Sequence, residues 1–156
     1  MIKLFLQPND IPELTSFSGN IDIDQLKPII NIAQTTFIKR ILGKDLYDKI
    51  YTDLETLSGE YLTIFNDYVV PMTAFYTVST YLSLSVAKVT EQGAFKRGVE
   101  GSTNLTTPEL NSLGDSYKSI AITYEENFRD YMKTISIAEY GEEEKIKEAT
   151  NLIQWY

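Results

Sequence analysis

The chain has no cysteine and no histidine. Without cysteine there is no disulfide, no thiolate metal site and no thiol nucleophile. Without histidine there is no Ser-His-Asp triad, no imidazole ligand and no general base of the commonest kind near neutral pH. Positive charge is also short: 14 Lys and Arg stand against 22 Asp and Glu, a net charge of −8. That balance is unfavourable for gripping a phosphate backbone, whose affinity comes from Lys and Arg. Residues 1–6 are a short apolar run ended by Pro8, Asn9 and Asp10, so no signal-peptide core of the usual length is present there. Only residues 68–87 run long enough without a charge to suggest a bilayer span. They carry Thr73, Thr77, Ser79, Thr80, Ser83, Ser85 and Pro71, which suits a buried central helix better. A soluble protein with no membrane partner is expected.

What remains is an ordinary globular composition, 43% hydrophobic and 23% charged over 156 residues, which points to one folded domain rather than a disordered chain. Ile2, Leu4 and Leu6 alternate, and Pro8, Pro12 and Ser18-Gly19-Asn20 interrupt, so residues 1–20 read as irregular or strand-like. Asp22 or Asp24 can cap a first helix, with Leu26, Ile30, Ala33, Phe37 and Ile41 on one face, Ile29, Ile32 and Ile38 widening it, and Gly43 as its stop. A second helix over 44–57 turns Leu46, Ile50, Leu54 and Leu57 inward. The third, from about 60 to 89, is apolar nearly all round, as in a helix surrounded by others, and Pro71 should kink or divide it. Three glycines break the pattern over 91–107, an irregular or hairpin insertion of a length that is usually functional.

Thr107, Pro108 and Glu109 then open the most regular helix. Leu110, Leu113, Tyr117, Ile120, Tyr124, Phe128, Tyr131 and Ile135 recur on one face, with Asp115, Lys118, Glu125, Glu126, Arg129 and Lys133 opposite. Gly141 precedes a short acidic-led helix to about residue 151. The fold class expected is all-α, a bundle of four to five helices in a single domain over 1–156, with a C-terminal docking segment over 141–156.

Acidic residues are the only groups left for catalysis. Asp45 with Asp48, Glu125 with Glu126, and Glu142-Glu143-Glu144 form clusters. None lies in a mostly apolar stretch that would raise a carboxyl pKa, so solvated helix faces are expected, and no catalytic, cofactor or metal site. A di-iron bundle site needs Glu-x-x-His pairs that a histidine-free chain cannot supply. Tyr140, Trp155 and Tyr156 fall outside the helical spacing of the other aromatics. They read either as a docking tail or as a tail folded back on its own bundle. Charge is uneven as well. Residues 68–107 hold Lys88, Lys96 and Arg97 against two acids, while both flanking regions are acidic. Such a basic loop can meet an acidic surface of another copy; solvated, incidental charge is the other reading.

Ile21-Asp22-Ile23-Asp24 leading through Ile30, Ala33-Gln34 and Ile41-Leu42-Gly43-Lys44-Asp45-Leu46-Tyr47 resembles the opening helices of head-to-tail connector (adaptor) proteins of tailed bacteriophages. The apolar third helix, the insertion and the long fourth helix are similar to that family too, most of all to its crAss-like type. The resemblance covers about residues 20–135. It implies a virion structural protein assembled in the host cytoplasm. About twelve copies would form a homo-oligomeric ring below the portal protein, extending the DNA channel without specific DNA binding and offering a platform to a tail-side protein. The family has no catalytic residues. Carried onto this chain, its contact regions are 92–107 and 146–156. With Lys88 from the basic loop and Tyr140 from the off-pattern aromatics added, the expected interface residues are Lys88, Phe95, Lys96, Arg97, Val99, Tyr140, Ile146, Ile153, Trp155 and Tyr156. The alternatives are a monomeric intracellular helical adaptor binding a protein partner, then a DNA-binding ring, and last an enzyme.

Overall fold

In the computed structural model the described residues are 1–17, 22–91 and 106–141. They form an all-α fold of five helices, with no strand among the described residues. α1 is Ile11–Thr15, entered through a 3₁₀ turn, Pro8–Asp10. α2 covers residues 23–42 as one continuous helix: Ile23–Ala33, a π turn at Gln34–Ile38, and Lys39–Leu42. α3 is Lys44–Thr52. α4 covers residues 59–91, again with a π turn: Gly59–Ile64, Phe65–Val69, then Val70–Glu91. α5 is Thr107–Met132. The expected insertion and the short last helix lie outside the described residues, apart from the insertion's two ends.

Local chemistry explains most boundaries. The Asp22 carboxylate accepts from Asp24 N and caps α2. Gly43, at φ +76°, takes a backbone conformation that a side chain would resist, and so separates α2 from α3. At α5 the cap is Thr106, one residue before the expected position. Glu109 N donates to the threonine Oγ1 at 3.4 Å, and the Glu109 carboxylate accepts from Thr106 N at 2.7 Å. Pro71 does not divide α4. The π turn just before it widens the helix, with Val70 N donating to Phe65 O, and the chain continues unbroken. α3 ends five residues early, because Asp53 closes its last turn and Thr56 N bonds back to Asp53 O at 2.8 Å. Leu54 and Leu57 still pack on the core from that turn.

The N-terminal reading needs correction. Residues 8–15 are helical, since a proline sits in the first turn of each short helix, where its missing N–H costs nothing. The inward residues are Phe5 and Leu6, each 4% exposed, while Ile2 is exposed. Gln34 replaces a strand partner. Fully buried in the first π turn, it accepts from Phe5 N at 2.9 Å. It also donates to Lys3 O at 3.0 Å and to the Tyr47 hydroxyl at 3.2 Å. The Phe5 ring lies edge-on to Phe65 in the second π turn. Both wide turns therefore flank one anchored segment.

α4 is the central helix, and every residue from 71 to 79 is buried. Its buried threonine hydroxyls are satisfied within the helix: Thr73 donates to Val69 O and Thr77 to Thr73 O, both at 2.6 Å. Among the described residues no helix is long and apolar enough to cross a membrane. One side of α4 packs on a core containing Ile38, Leu42, Ile50, Met72 and Phe128, the other on a smaller one with Leu6, Ile11, Leu26 and Ile30.

α5 meets α4 through small residues. A Cβ built on Gly114 would lie 3.6 Å from the Leu82 Cβ, an ordinary contact. Gly114→Ala should therefore stabilise the fold by about 0.5–1 kcal/mol through helix propensity, read as a higher midpoint in urea. A destabilised variant would mean that α4 and α5 approach more closely than described.

Candidate functional site

The close approach at Gly114 and Ala121 sets which way α5 faces. Its buried positions are Gly114, Ala121, Glu125, Phe128 and Met132. The apolar stripe read from spacing is thus turned away from the contact by about one residue. Leu113, Tyr117, Tyr124 and Tyr131 are only half-buried, and Ile120 is 41% exposed. The rings do not stand alone. Phe75 of α4 stacks on Tyr124 with centroids 5.8 Å apart and lies tilted against Tyr117 at 6.1 Å. Phe17 meets Tyr117 and Tyr81 edge-on, and Tyr68 stacks on Tyr131 at 5.2 Å. An aromatic seam therefore runs along the α4–α5 junction, half open to solvent.

At the Tyr68–Tyr131 end the seam widens into an open groove of about 510 Å³. Tyr68, Tyr124 and Tyr131 line it, with Asp67, Asn127 and Asp130 among its polar residues. Burial, and then the Asp67 charge, push the Tyr68 hydroxyl above its ordinary pKa. Asp130 pairs with Lys133 Nζ at 2.8 Å, but both side chains are about 70% exposed, so the pair is weak and exchangeable. Tyrosine faces beside carboxylates suit a cationic guest.

Beneath the seam lies a polar network that spacing does not reveal. Glu125, assigned above to a solvated face, is 8% exposed. Its carboxylate accepts from the Tyr76 hydroxyl at 2.9 Å and from Arg129 Nη2 at 2.5 Å. Phe37 stacks on the Tyr76 ring at 4.3 Å, with the planes 4° apart. Burial, then the Glu125 charge, push the Tyr76 pKa far up, so this hydroxyl remains a donor. The one sequence hint is the four-residue spacing of Glu125 and Arg129. The network locks α5 to α4 beneath the seam.

After α5 the chain folds back. Tyr61 donates to the Glu139 carboxylate at 2.5 Å, which together with burial pushes the Tyr61 pKa up to about 12. Stability from this contact is present below pH 10, the ordinary tyrosine value, and is lost as pH rises from 10 towards 12. Absorbance titration should show an ionisation step at about pH 12, apart from the still later Tyr76, and Tyr61→Phe should remove that step. Retention of the step would contradict the assignment.

The fold-back settles the place of Tyr140. It is 3% exposed, with its ring edge-on to Phe128 at 5.7 Å, so it is a core residue and not a docking residue. Its hydroxyl has no hydrogen-bond partner among the described residues. Lys88 lies near the C-terminal end of α4. Phe95, Lys96, Arg97, Val99, Ile146, Ile153, Trp155 and Tyr156 lie outside the described residues, so the structure brings none of the expected interface set together. The carboxylates Asp45 and Asp48 lie on α3, Asp48 paired with Lys44 Nζ at 2.6 Å on the surface. That pairing holds the Asp48 pKa below its usual range. Among the described residues no group of three or more acidic side chains is placed to hold a metal ion.

Comparison with known proteins gives one assignment. No curated protein and no solved structure matches the chain. Residues 38–150, from the first π turn through α5 and beyond, match the family of unknown function DUF6712, and the chain belongs to that family.

Proposed function

We propose that this protein is a structural assembly subunit, one copy of a homo-oligomeric ring that joins head to tail in a tailed bacteriophage. One observation carries the reading. α5 offers its neighbours a half-open stripe of Leu113, Tyr117, Ile120, Tyr124 and Tyr131, backed by rings of α4 and held rigid from below by the Glu125 network. Rigid aromatic side chains that are apolar but leave a hydroxyl exposed are the usual anchors of protein interfaces. The resemblance of residues 20–135 to connector proteins supports a ring with the portal protein on one side and a tail-side protein on the other. The site is the virion, and the chain has no enzymatic role. The acidic composition is consistent with a channel wall that lets DNA pass without holding it.

Light scattering over a wide concentration range tests the proposal. The mass should rise from 17.8 kDa for one chain towards about twelve copies, as head-to-tail contacts close a ring. Ile120→Glu places a charge on the exposed stripe and should return the protein to a monomer of unchanged helicity. A wild-type chain that stays monomeric at every concentration would favour the second reading, a monomeric helical adaptor using the same stripe for a different protein.

A further inference from the structure

The groove lies towards one end of the α4–α5 pair, and the residues that bound the basic insertion, Glu91 and Thr107, lie at the other. Tyr68 lies in the π turn of α4 and Tyr131 near the end of α5, whereas the insertion leaves α4 at Glu91 and enters α5 at Thr107. At a rise of about 1.5 Å per residue, the Tyr68 end of the groove lies roughly 34 Å from Glu91 along the helix, and its Tyr124 end, beside Phe75, roughly 24 Å. Fully extended backbone carries Lys96 at most about 18 Å and Arg97 at most about 22 Å beyond Glu91. A long side chain adds only several ångströms more. The insertion therefore cannot bring either cation to the Asp67, Tyr68 and Tyr131 end of the groove of its own chain.

We infer that the groove lined by Tyr68, Tyr124 and Tyr131, with Asp67 and Asp130, receives Lys96 and Arg97 from the insertion of a second copy. This rests on the self-assembly reading above and names its contact. Charge supports this occupant. The groove brings two carboxylates to three tyrosine rings, and it carries the Asn127 amide as a further acceptor. Lys96 and Arg97 are adjacent cations in a stretch, residues 68–107, whose three bases outnumber its two acids. Cation–π contact and carboxylate pairing then act on the same guest. Asp130 would exchange its exposed partner Lys133 for the incoming cation, a substitution of small cost at the surface. Donor and acceptor at opposite ends of one rigid helix pair make the contact heterologous. Such a contact propagates from copy to copy until it closes.

The test uses full-length isotope-labelled protein carrying Lys96→Glu and Arg97→Glu, so that its own insertions do not compete. A synthetic peptide of residues 92–100 is added and followed by NMR. The peptide should shift the side-chain amide of Asn127 and the backbone signals of Tyr68, Tyr124 and Tyr131. A peptide with both cations replaced by glutamate should leave them in place. Adding Asp67→Asn and Asp130→Asn to the receptor should weaken binding at least roughly tenfold, with circular dichroism confirming the fold. No shift at millimolar peptide, shifts elsewhere, or equal binding by the acidic peptide would overturn the inference. The broader reading fails separately. A wild-type ring that persists with Lys96→Glu and Arg97→Glu overturns this contact and leaves the ring standing. A wild-type monomer whose groove still takes the peptide removes the ring and leaves the contact.

Discussion

Glu125→Ala should cost about 3–5 kcal/mol of folding stability, the usual cost of removing one partner from a buried, hydrogen-bonded ion pair. The carboxylate receives both the Tyr76 hydroxyl and the Arg129 guanidinium, and both side chains of the ion pair are at most 20% exposed. Truncation takes the Glu125 carboxylate from the Arg129 guanidinium and the acceptor from the buried Tyr76 hydroxyl. Replacing both ends, Glu125→Met with Arg129→Met, should cost less than Glu125→Ala alone, because apolar side chains leave no charge to solvate. Urea denaturation of the three proteins measures this. A loss below about 1 kcal/mol for Glu125→Ala would mean that the network is open to water.

Gln34→Leu should cost about 2–4 kcal/mol, since it strands the Phe5 N–H and the Lys3 carbonyl in a place where water does not replace the lost amide. The damage should be local in character. Phe5 and Leu6 lose their tether, so fast amide exchange at Phe5 and early proteolysis near residues 1–7 should precede global unfolding. Gln34→Glu keeps an acceptor for Phe5 N but sets a fully buried carboxylate against Lys3 O, so its cost should grow as pH rises and the group ionises. Unchanged exchange at Phe5 in Gln34→Leu would show that ring packing against Tyr47 and Phe65, and not the amide, holds the segment.

Helix existence was legible from spacing and caps. Asp22, Gly43 and Glu109 mark real ends, and the middle of the charge-free run, residues 71–79, is the buried centre of the bundle. The direction each helix faces was less legible, because period counting assumes a uniform turn. The π turn at Gln34–Ile38 brings Gln34 and Ile38 fully inward, while Phe37 is only half-buried and Ile32 is 41% exposed. On α5, Gly114 and Ala121 draw α4 onto a line beside the large apolar residues. That offset hides Glu125 and exposes Ile120, and nothing in α5's own sequence states which line the neighbour will choose. Residues 8–15 were misread for a related reason: proline punctuates a loop and also opens a helix, and only the surrounding core decides between them.

The candidate site follows from the same offset. A stripe centred on its neighbour would be consumed by the core, whereas a stripe displaced by one residue leaves an apolar flank for another protein. In the proposed ring that flank and the groove at its end belong to every copy, with the basic insertion at the far end. Electron microscopy of the purified wild-type protein at high concentration tests this most directly. Closed rings with a central opening wide enough for a DNA duplex are the predicted result. Isolated monomers or two-fold dimers at every concentration would contradict it.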